Sequence, residues 1–232
     1  MSTEAQSSSD LEFNLKHVRD GINEEMIRLG RSVSDVTLVA ASKTVPVERL
    51  SEAIALGQTV FGENRVQEAQ EKWPTLREKH PELELHLIGP LQSNKARHAV
   101  ALFDVIQSVD RASVAKAIAK ERDKQGRNPQ LYIQINTGRE PQKSGILPED
   151  ANAFVKTCQE NYNLAIAGLM CIPPADQEPQ DDFTLLKEMA DTENLKIVSM
   201  GMSGDYLVAL AHGATHVRVG SAIFGRRPPL NT

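Results

Sequence analysis

The stretch Thr37-Leu-Val-Ala-Ala-Ser-Lys-Thr44 decides the fold class of this chain. Its first five residues are apolar or β-branched, which is typical of a strand that is buried on both faces. A helical pattern follows over Pro46–Leu56, so the segment is one strand joined to one helix. A doubly wound open sheet carries a GxGxxG loop after its first strand. Ser42-Lys43-Thr44 stands there instead, which disfavours that fold.

The same alternation of short apolar runs and helical patterns continues along the chain. The predicted strands are 36–42, 58–61, 83–88, 103–108, 130–136, 164–171, 195–199 and 215–219. An amphipathic helix precedes them, because apolar residues recur every three or four positions from Leu11 to Leu29. Strands that alternate with helices form a parallel sheet, and eight such units close a barrel. We therefore predict an α/β fold, a single (β/α)8 TIM barrel with an extra N-terminal helix, in which residues 1–10 form a flexible polar N-terminus and residues 11–232 one domain.

Composition and charge disfavour several classes of function. The formal net charge is -5 over 232 residues, and no basic block is present that could neutralise phosphates, so a nucleic-acid partner is not expected. The chain shows neither a signal peptide nor an apolar run long enough to span a bilayer, so we expect a cytoplasmic, monomeric protein without a membrane partner. Cys158 and Cys171 fit neither a disulfide framework nor a metal site, and we interpret them as buried apolar thiols.

Alternation within the strands predicts which side chains face the barrel interior. In the first strand Val39 and Lys43 share a face, and in the last strand His216, Arg218 and Gly220 share one. The first and eighth strands are neighbours in a closed barrel, so Lys43 and Arg218 should both point toward the mouth. Active sites of this fold lie at that end, where the strands terminate.

Lys43 is the candidate with the clearest chemistry. A lysine amine becomes a nucleophile for carbonyls when burial or a neighbouring cation lowers its pKa, and Arg218 is such a cation. Schiff-base chemistry is the corresponding hypothesis. The alternative is a lysine that extends its ammonium group from a strand end into solvent.

Two glycine-rich segments after the seventh and eighth strands are candidates for a phosphate site. They are Ser199-Met-Gly-Met-Ser-Gly204 and Gly220-Ser-Ala-Ile-Phe-Gly225. Glycines let backbone N–H groups approach an anion, and Ser203 and Ser221 add hydroxyl groups. Tight turns, with Ser203 as a helix cap, explain either segment alone. Their joint position favours phosphate.

Other polar positions near the same end have two interpretations each. Asn64 follows the second strand and either reaches the mouth or caps the next helix. His86 lies within the third strand, where a core histidine is more common than a catalytic one, and no metal spacing accompanies it. The loops 89–95 and 137–145 are lids or simple connections.

Six segments occur together in this chain: Ala41-Ser-Lys-Thr44, Phe61-Gly-Glu-Asn64 with Val66-Gln-Glu68, Ile88-Gly-Pro-Leu-Gln-Ser-Asn-Lys95, Lys143-Ser-Gly-Ile146, Ser199-Met-Gly-Met-Ser203 and Val217-Arg-Val-Gly-Ser-Ala-Ile-Phe-Gly225. Together they resemble the pyridoxal phosphate homeostasis protein family. The resemblance runs from the first helix to about Gly225. The chain departs from the family at Leu85, where an aromatic residue is usual, and at Leu87, where Phe or Met is frequent. Alternation places both on the helix-facing side, so the departures concern packing.

The resemblance implies a barrel similar to the N-terminal domain of bacterial alanine racemase, with pyridoxal 5'-phosphate (PLP, a form of vitamin B6) as cofactor. The implied cofactor-binding residues are Lys43 through a Schiff base, Asn64 near the ring, Arg218 at the pyridine nitrogen, and Ser203, Gly220 and Ser221 at the phosphate. The resemblance assigns no catalytic residue and no metal.

The family is associated with the balance of free PLP and amino-acid pools, without an established catalytic activity. The resemblance thus implies binding, buffering and delivery of intracellular PLP, with PLP-dependent apo-enzymes as partners. Arg218 would keep the pyridine nitrogen unprotonated, which weakens the ring as an electron sink. Racemases add a tyrosine from a second domain, whereas Tyr132, Tyr162 and Tyr206 of this chain fall in a predicted strand, at a helix end and at a helix start.

Two alternatives stay open from the sequence. One is a PLP-dependent amino-acid racemase, or a related enzyme, that works as a bare barrel. The other is an aldolase that forms a Schiff base between Lys43 and a sugar phosphate, without any cofactor.

Overall fold

Eight parallel strands pair in sequence order and close into a barrel, so that β1 contacts both β2 and β8. The computed structural model describes residues 2–225, with side chains from Asp10 onward. The strands are β1 (Thr37–Ala41), β2 (Val60–Glu63), β3 (Glu84–Leu87), β4 (Val105–Val109), β5 (Gln130–Ile135), β6 (Ile166–Cys171), β7 (Ile197–Ser199) and β8 (His216–Val219). The predicted (β/α)8 barrel is confirmed.

Helices connect successive strands and cover the outside of the barrel. The helices are α1 (Ser2–Arg28), α2 (Val47–Ala55), α3 (Val66–Lys79), α4 (Ala96–Leu102), α5 (Ala112–Gln125), α6 (Ala151–Tyr162), α7 (Gln180–Thr192), α8 (Tyr206–Ala211) and α9 (Ser221–Phe224). Gly126 ends α5 in the left-handed conformation, with φ 65°, as glycine commonly does at the end of a helix. Asn163 ends α6 in the same way, with φ 51°. Within residues 2–225 no helix has the length and apolar character needed to cross a membrane.

Helix α1 packs beside α2, α8 and α9. It buries the predicted apolar stripe, Leu11, Leu15, Val18, Ile22 and Met26. The backbone is helical from Ser2, whereas we predicted a flexible polar tail over residues 1–10. The tail contains neither Gly nor Pro, so a helix that is anchored by its buried stripe extends into it without a stop signal. The flexibility of this segment stays a prediction.

Two apolar layers lie on opposite sides of the sheet. The outer layer, between strands and helices, contains Leu85 and Leu87, as their alternation predicted. The inner layer is a small cluster around Val105, Tyr132 and Met170. The barrel interior is therefore filled with side chains, and ligands have access only at its ends.

Candidate functional site

A cavity of about 360 Å³ opens at the mouth of the barrel, where β1, β7 and β8 end. Five of the six predicted cofactor-binding residues line this cavity: Lys43, Ser203, Arg218, Gly220 and Ser221. The sixth, Asn64, is not among the described lining residues. The sequence thus predicted most of one site from segments that lie far apart in the chain.

The cavity is electropositive. Its described lining contains three cationic side chains, those of Lys43, Arg49 and Arg218, and no carboxylate. Arg49 comes from the first turn of α2 and pairs with Glu52 at 2.8 Å. Sequence analysis missed Arg49, because helical spacing does not tell whether a residue near a helix start faces the mouth. A lining of this charge favours an anionic ligand.

Lys43 stands in a tight turn just beyond β1. The turn spans residues 42–45 and is closed by the Val45 N–H, which donates to the Ser42 carbonyl at 3.0 Å. Lys43 and Thr44 are its two central residues. Val39 pairs with Arg218 in the register between β1 and β8, so the two strands bring Lys43 and Arg218 to the same cavity, as predicted. Lys43 is half-buried there.

Arg218 is buried at the base of the cavity. Its Nη1 donates to Ser199 Oγ and its Nη2 to the Cys171 carbonyl, each at 2.8 Å. Burial lowers the pKa of Arg218 from its ordinary value, and guanidinium groups start so high that it stays charged. Among the described residues no carboxylate forms an ion pair with it. A buried cation without a carboxylate partner is costly, so its place at the cavity indicates a functional role.

A chain of hydrogen bonds continues from Arg218 through the barrel interior. Ser199 Oγ donates to Gln107 Oε1 at 2.6 Å, and Gln107 Nε2 donates to His86 Nδ1 at 2.7 Å. His86 Nε2 then donates to Glu84 Oε1 at 2.5 Å, at the opposite end of the barrel. These contacts place the His86 proton on Nε2. His86 is therefore a satisfied core histidine, as we interpreted it, and it supports Arg218 indirectly.

His216 lies beside this chain, with its ring 5.7 Å from that of Tyr132. Burial lowers the pKa of His216 to about 4, with His86 and Arg218 acting in the same direction and Glu84 against it. Histidine in the unfolded chain titrates near pH 6.5, so between pH 6.5 and 4 the unfolded state binds a proton that the folded state does not. The stability that His216 contributes is thus present above pH 6.5 and is lost as the pH falls toward 4.

We expect this difference to lower the free energy of unfolding by about 2 kcal/mol at pH 5 relative to pH 7. Urea unfolding of the wild type and of His216→Gln at both pH values measures it. The variant should lose about 2 kcal/mol less than the wild type on acidification. His98→Gln, at an exposed histidine, is the control and should behave as the wild type. Equal losses in the wild type and His216→Gln would contradict the assignment.

Two backbone N–H groups at the start of α9 converge on one point of the cavity wall. The N–H groups of Gly220 and Ala222 both donate to Ser203 Oγ, at 3.1 and 3.3 Å. The N-cap residue of α8 is Asp205, so the interpretation of Ser203 as the cap of that helix is wrong. Gly220 lies against β1, since a Cβ atom there would come within 3.1 Å of the Ala41 carbonyl oxygen. Ser203 Oγ accepts both N–H groups here, so its own hydroxyl proton is directed to other acceptors, and an anion oxygen in the cavity would meet the Ser203 hydroxyl as a donor.

Asn64 lies outside this group. It is half-buried between β2 and α3, and the N-cap residue of α3 is Arg65, so the interpretation of Asn64 as a helix cap is wrong. The Asn64 backbone packs against Gly89, where a Cβ atom would lie 2.3 Å from the Asn64 carbonyl oxygen. Its position near a bound ring stays a prediction.

The thiols of the two cysteines do not line the cavity. Cys158 and Cys171 are both buried and unbridged, and burial raises the pKa of each thiol to about 12. The interpretation of them as buried apolar thiols is confirmed. In the described part of the chain no three His, Cys, Asp or Glu side chains are grouped so that they could hold a metal ion.

The sequence and the fold have counterparts among known proteins. Residues 15–228 match the family described as "Alanine racemase, N-terminal domain". Alanine racemase of Clostridium difficile shares the fold, with a TM-score of 0.72 at 14% identity over 97% of this chain and 58% of the racemase chain. The class of protein is accordingly that of the alanine racemase N-terminal barrels.

More similar relatives narrow this class. The pyridoxal phosphate homeostasis protein of Escherichia coli K12 is 38% identical over 228 residues, which cover 94% of this chain and 97% of the relative. The structure of PipY of Synechococcus elongatus with PLP bound matches with a TM-score of 0.75 at 38% identity, over 88% of this chain and all of PipY. The chain belongs to the pyridoxal phosphate homeostasis protein family.

Proposed function

We propose that this chain binds PLP in the cavity at the mouth of the barrel and takes part in the binding, buffering and delivery of intracellular PLP, and thereby indirectly in the balance of amino-acid pools. One observation carries the proposal: the Lys43 amine, the buried Arg218 cation and the convergent N–H groups of Gly220 and Ala222 line or adjoin one cavity. The names of the relatives and the PLP-bound structure of PipY support it.

The residues of the cavity fit the three polar groups of PLP. Lys43 is the residue that holds the aldehyde, and Arg218 is placed to donate to the pyridine nitrogen. The phosphate fits the donors of Ser203, Gly220 and Ser221, and Asn64 is assigned near the ring. When bound, PLP supplies an aldehyde carbon to which the Lys43 amine nitrogen bonds as a Schiff base, and the carbonyl oxygen leaves as water.

The composition of the cavity favours a binding protein over a racemase. Racemisation needs a second proton donor on the opposite face of the substrate from the first base. Tyr132 is in the barrel interior, Tyr162 ends α6 and Tyr206 begins α8, and none of them lines the cavity. Of the titratable side chains in the described lining, only that of Lys43 can serve as a base, because arginine keeps its proton. The aldolase alternative lacks support from the family, whose relatives are named for PLP.

The setting of this function is proposed as well. We place the protein in the cytoplasm as a monomer, with residues 11–232 as one PLP-binding barrel domain and with PLP-dependent apo-enzymes as recipients of the cofactor. No catalytic residue is assigned. The charge distribution of the chain and the electropositive cavity agree with a small anionic ligand rather than nucleic acid.

The test uses the wild-type protein with added PLP. Its visible absorption spectrum is recorded before and after borohydride, and the reduced protein is digested and mapped by mass spectrometry. A visible band that reduction abolishes, with the adduct on Lys43, is the expected result. A protein that takes up no PLP, or one modified only at other lysines, would overturn the proposal, and an adduct with a sugar phosphate instead would favour the aldolase. Exchange of the α-hydrogen of alanine with solvent deuterium would favour the racemase.

A further inference from the structure

A cluster of three charged side chains, of which two are buried and one is partly exposed, lies directly behind the Lys43 turn, outside the cavity. Glu63 ends β2, and Glu68 and Lys72 lie four residues apart on α3. Lys72 Nζ is 2.7 Å from Glu63 Oε1 and 2.8 Å from Glu68 Oε1. The Glu63 side chain is fully buried and that of Lys72 is 10% exposed. Burial of the Glu63 and Lys72 charges is costly unless they contribute to a defined geometry.

The cluster holds the backbone of the turn on both sides of Lys43. Lys72 Nζ donates to the Ser42 carbonyl at 3.0 Å and to the Val45 carbonyl at 3.4 Å. The Thr44 N–H donates to Glu68 Oε1 at 2.6 Å. Ser42 Oγ donates to Glu63 Oε1 at 2.8 Å. Each of the other three residues of turn 42–45 therefore contacts the cluster.

The turn needs this support because Thr44 adopts a left-handed conformation, with φ 62°. This position of a turn usually carries glycine, and a β-branched residue there costs about 1–2 kcal/mol. Strained residues persist where the surrounding structure holds them in place, and they concentrate at functional sites. The contacts of Glu68 with the Thr44 N–H and of Lys72 with the flanking carbonyls are such restraints.

A role in overall stability alone does not account for the cluster. Buried ion pairs contribute little net stability, and apolar side chains of similar size fill such a space as well or better. Burial raises the pKa of Glu63, while its bonds from Lys72, Ser42 and Trp73 act in the opposite direction. In the described part of the chain Glu63 Oε2 has no hydrogen-bond partner, so Glu63 depends on the groups that meet Oε1. Two of those groups connect Glu63 with the Lys43 turn: Ser42 belongs to the turn, and Lys72 donates to its backbone.

We propose that Lys72, together with Glu63 and Glu68, is a positioning residue that holds turn 42–45 in the shape in which the Lys43 amine meets a ligand aldehyde. This inference rests on the proposed function. Lys72 itself does not line the cavity, so it acts through the backbone of the turn rather than on the ligand. The same geometry gives a physical role to the Phe61–Glu68 segment, which the cavity itself leaves unexplained.

The test separates covalent attachment at Lys43 from binding in the cavity. Lys72→Met removes the charge and keeps most of the length of the side chain. The rate at which borohydride traps PLP on Lys43 is compared with the Kd of pyridoxine 5'-phosphate, which has an alcohol in place of the aldehyde. We expect the trapping rate to fall on the order of tenfold or more, because small displacements of a reacting group have such effects. The Kd of pyridoxine 5'-phosphate should stay unchanged. Lys79→Met, at an exposed lysine of the same helix, is the matched control.

The outcomes separate this inference from the proposed function. An unchanged trapping rate in Lys72→Met beside a normal wild type would overturn the inference alone, and so would an equal loss of trapping and of alcohol binding. A wild type that forms no adduct would overturn both. If Lys72→Met does not fold, Glu68→Ala serves instead, because Glu68 is partly exposed and still removes the acceptor of the Thr44 N–H. It should lower the trapping rate without changing the Kd.

Discussion

Lys43→Ala should abolish the borohydride-stable adduct with PLP completely while the barrel stays folded. Lys43 is the single lysine among the described residues that line the cavity, so no other amine there can replace it. The side chain is half-buried at a turn, and its truncation should change the free energy of unfolding by less than about 1 kcal/mol. Mass spectrometry of the reduced protein measures the adduct, and urea unfolding measures the stability.

The variant should still bind the ligand without covalent attachment. Arg218 and the N–H groups of Gly220 and Ala222 are unchanged, so pyridoxine 5'-phosphate should bind as it does to the wild type. Lys95→Ala is the control, because Lys95 follows β3 at the same end of the barrel but does not line the cavity. An adduct of wild-type yield in Lys43→Ala would assign the aldehyde to another amine and refute the role of Lys43.

Sequence alone predicted those parts of the site that depend on strand alternation and barrel closure. Val39 and Lys43 continue one face of the first strand, and Arg218 belongs to the inward face of the last. In a closed barrel the first and last strands must be neighbours. The proximity of Lys43 and Arg218 therefore follows from the two-residue alternation of side chains along a strand and from the closure of eight strands. The joint position of the segments that contain Ser203 and Gly220 follows in the same way from adjacent strands, whereas the hydrogen bond between these two residues was not predicted.

The residues behind the site could not be predicted, because their contacts depend on helix rotation and strand register. Lys72 shares a buried face of α3 with Val66, Ala69 and Trp73. A charged residue within such an apolar stripe is a sequence signal of a buried charge. Its partners are fixed only by how α3 lies on the barrel. Gln107 on β4 contacts His86 on β3. The neighbouring pair of strands, β4 and β5, shifts its register between Ile106 and Val109, and the spacing of residues in the sequence does not reveal such a shift.

Arg218→Met should weaken the binding of PLP on the order of ten- to a hundredfold, since hydrogen bonds to charged groups contribute about 1.5–3 kcal/mol. Methionine has a similar length but neither donor nor charge. Equilibrium dialysis with PLP, and with pyridoxine 5'-phosphate, measures the loss. If the two ligands lose affinity equally, Arg218 acts on a part of the ligand that they share, the ring or the phosphate, and not on the aldehyde. An unchanged affinity would contradict the assignment of Arg218 to the pyridine nitrogen.

The stability of Arg218→Met should separate a binding role from a structural one. Arg31 is the matched control, because it also donates through Nη1 and Nη2 to two carbonyls, those of Leu210 and Ala214, at 2.8 and 2.9 Å. Arg31 is partly exposed and lies away from the cavity, so its loss removes two bonds and recovers no desolvation energy. Arg218 is buried without a carboxylate partner among the described residues. Its replacement by methionine therefore removes the unfavourable desolvation energy of a buried charge. In the absence of ligand, Arg31→Met should therefore lose more stability than Arg218→Met, while only Arg218→Met should lose affinity for PLP. The reverse order of stability, together with an unchanged affinity for PLP, would mean that Arg218 is kept for the barrel and not for the cofactor.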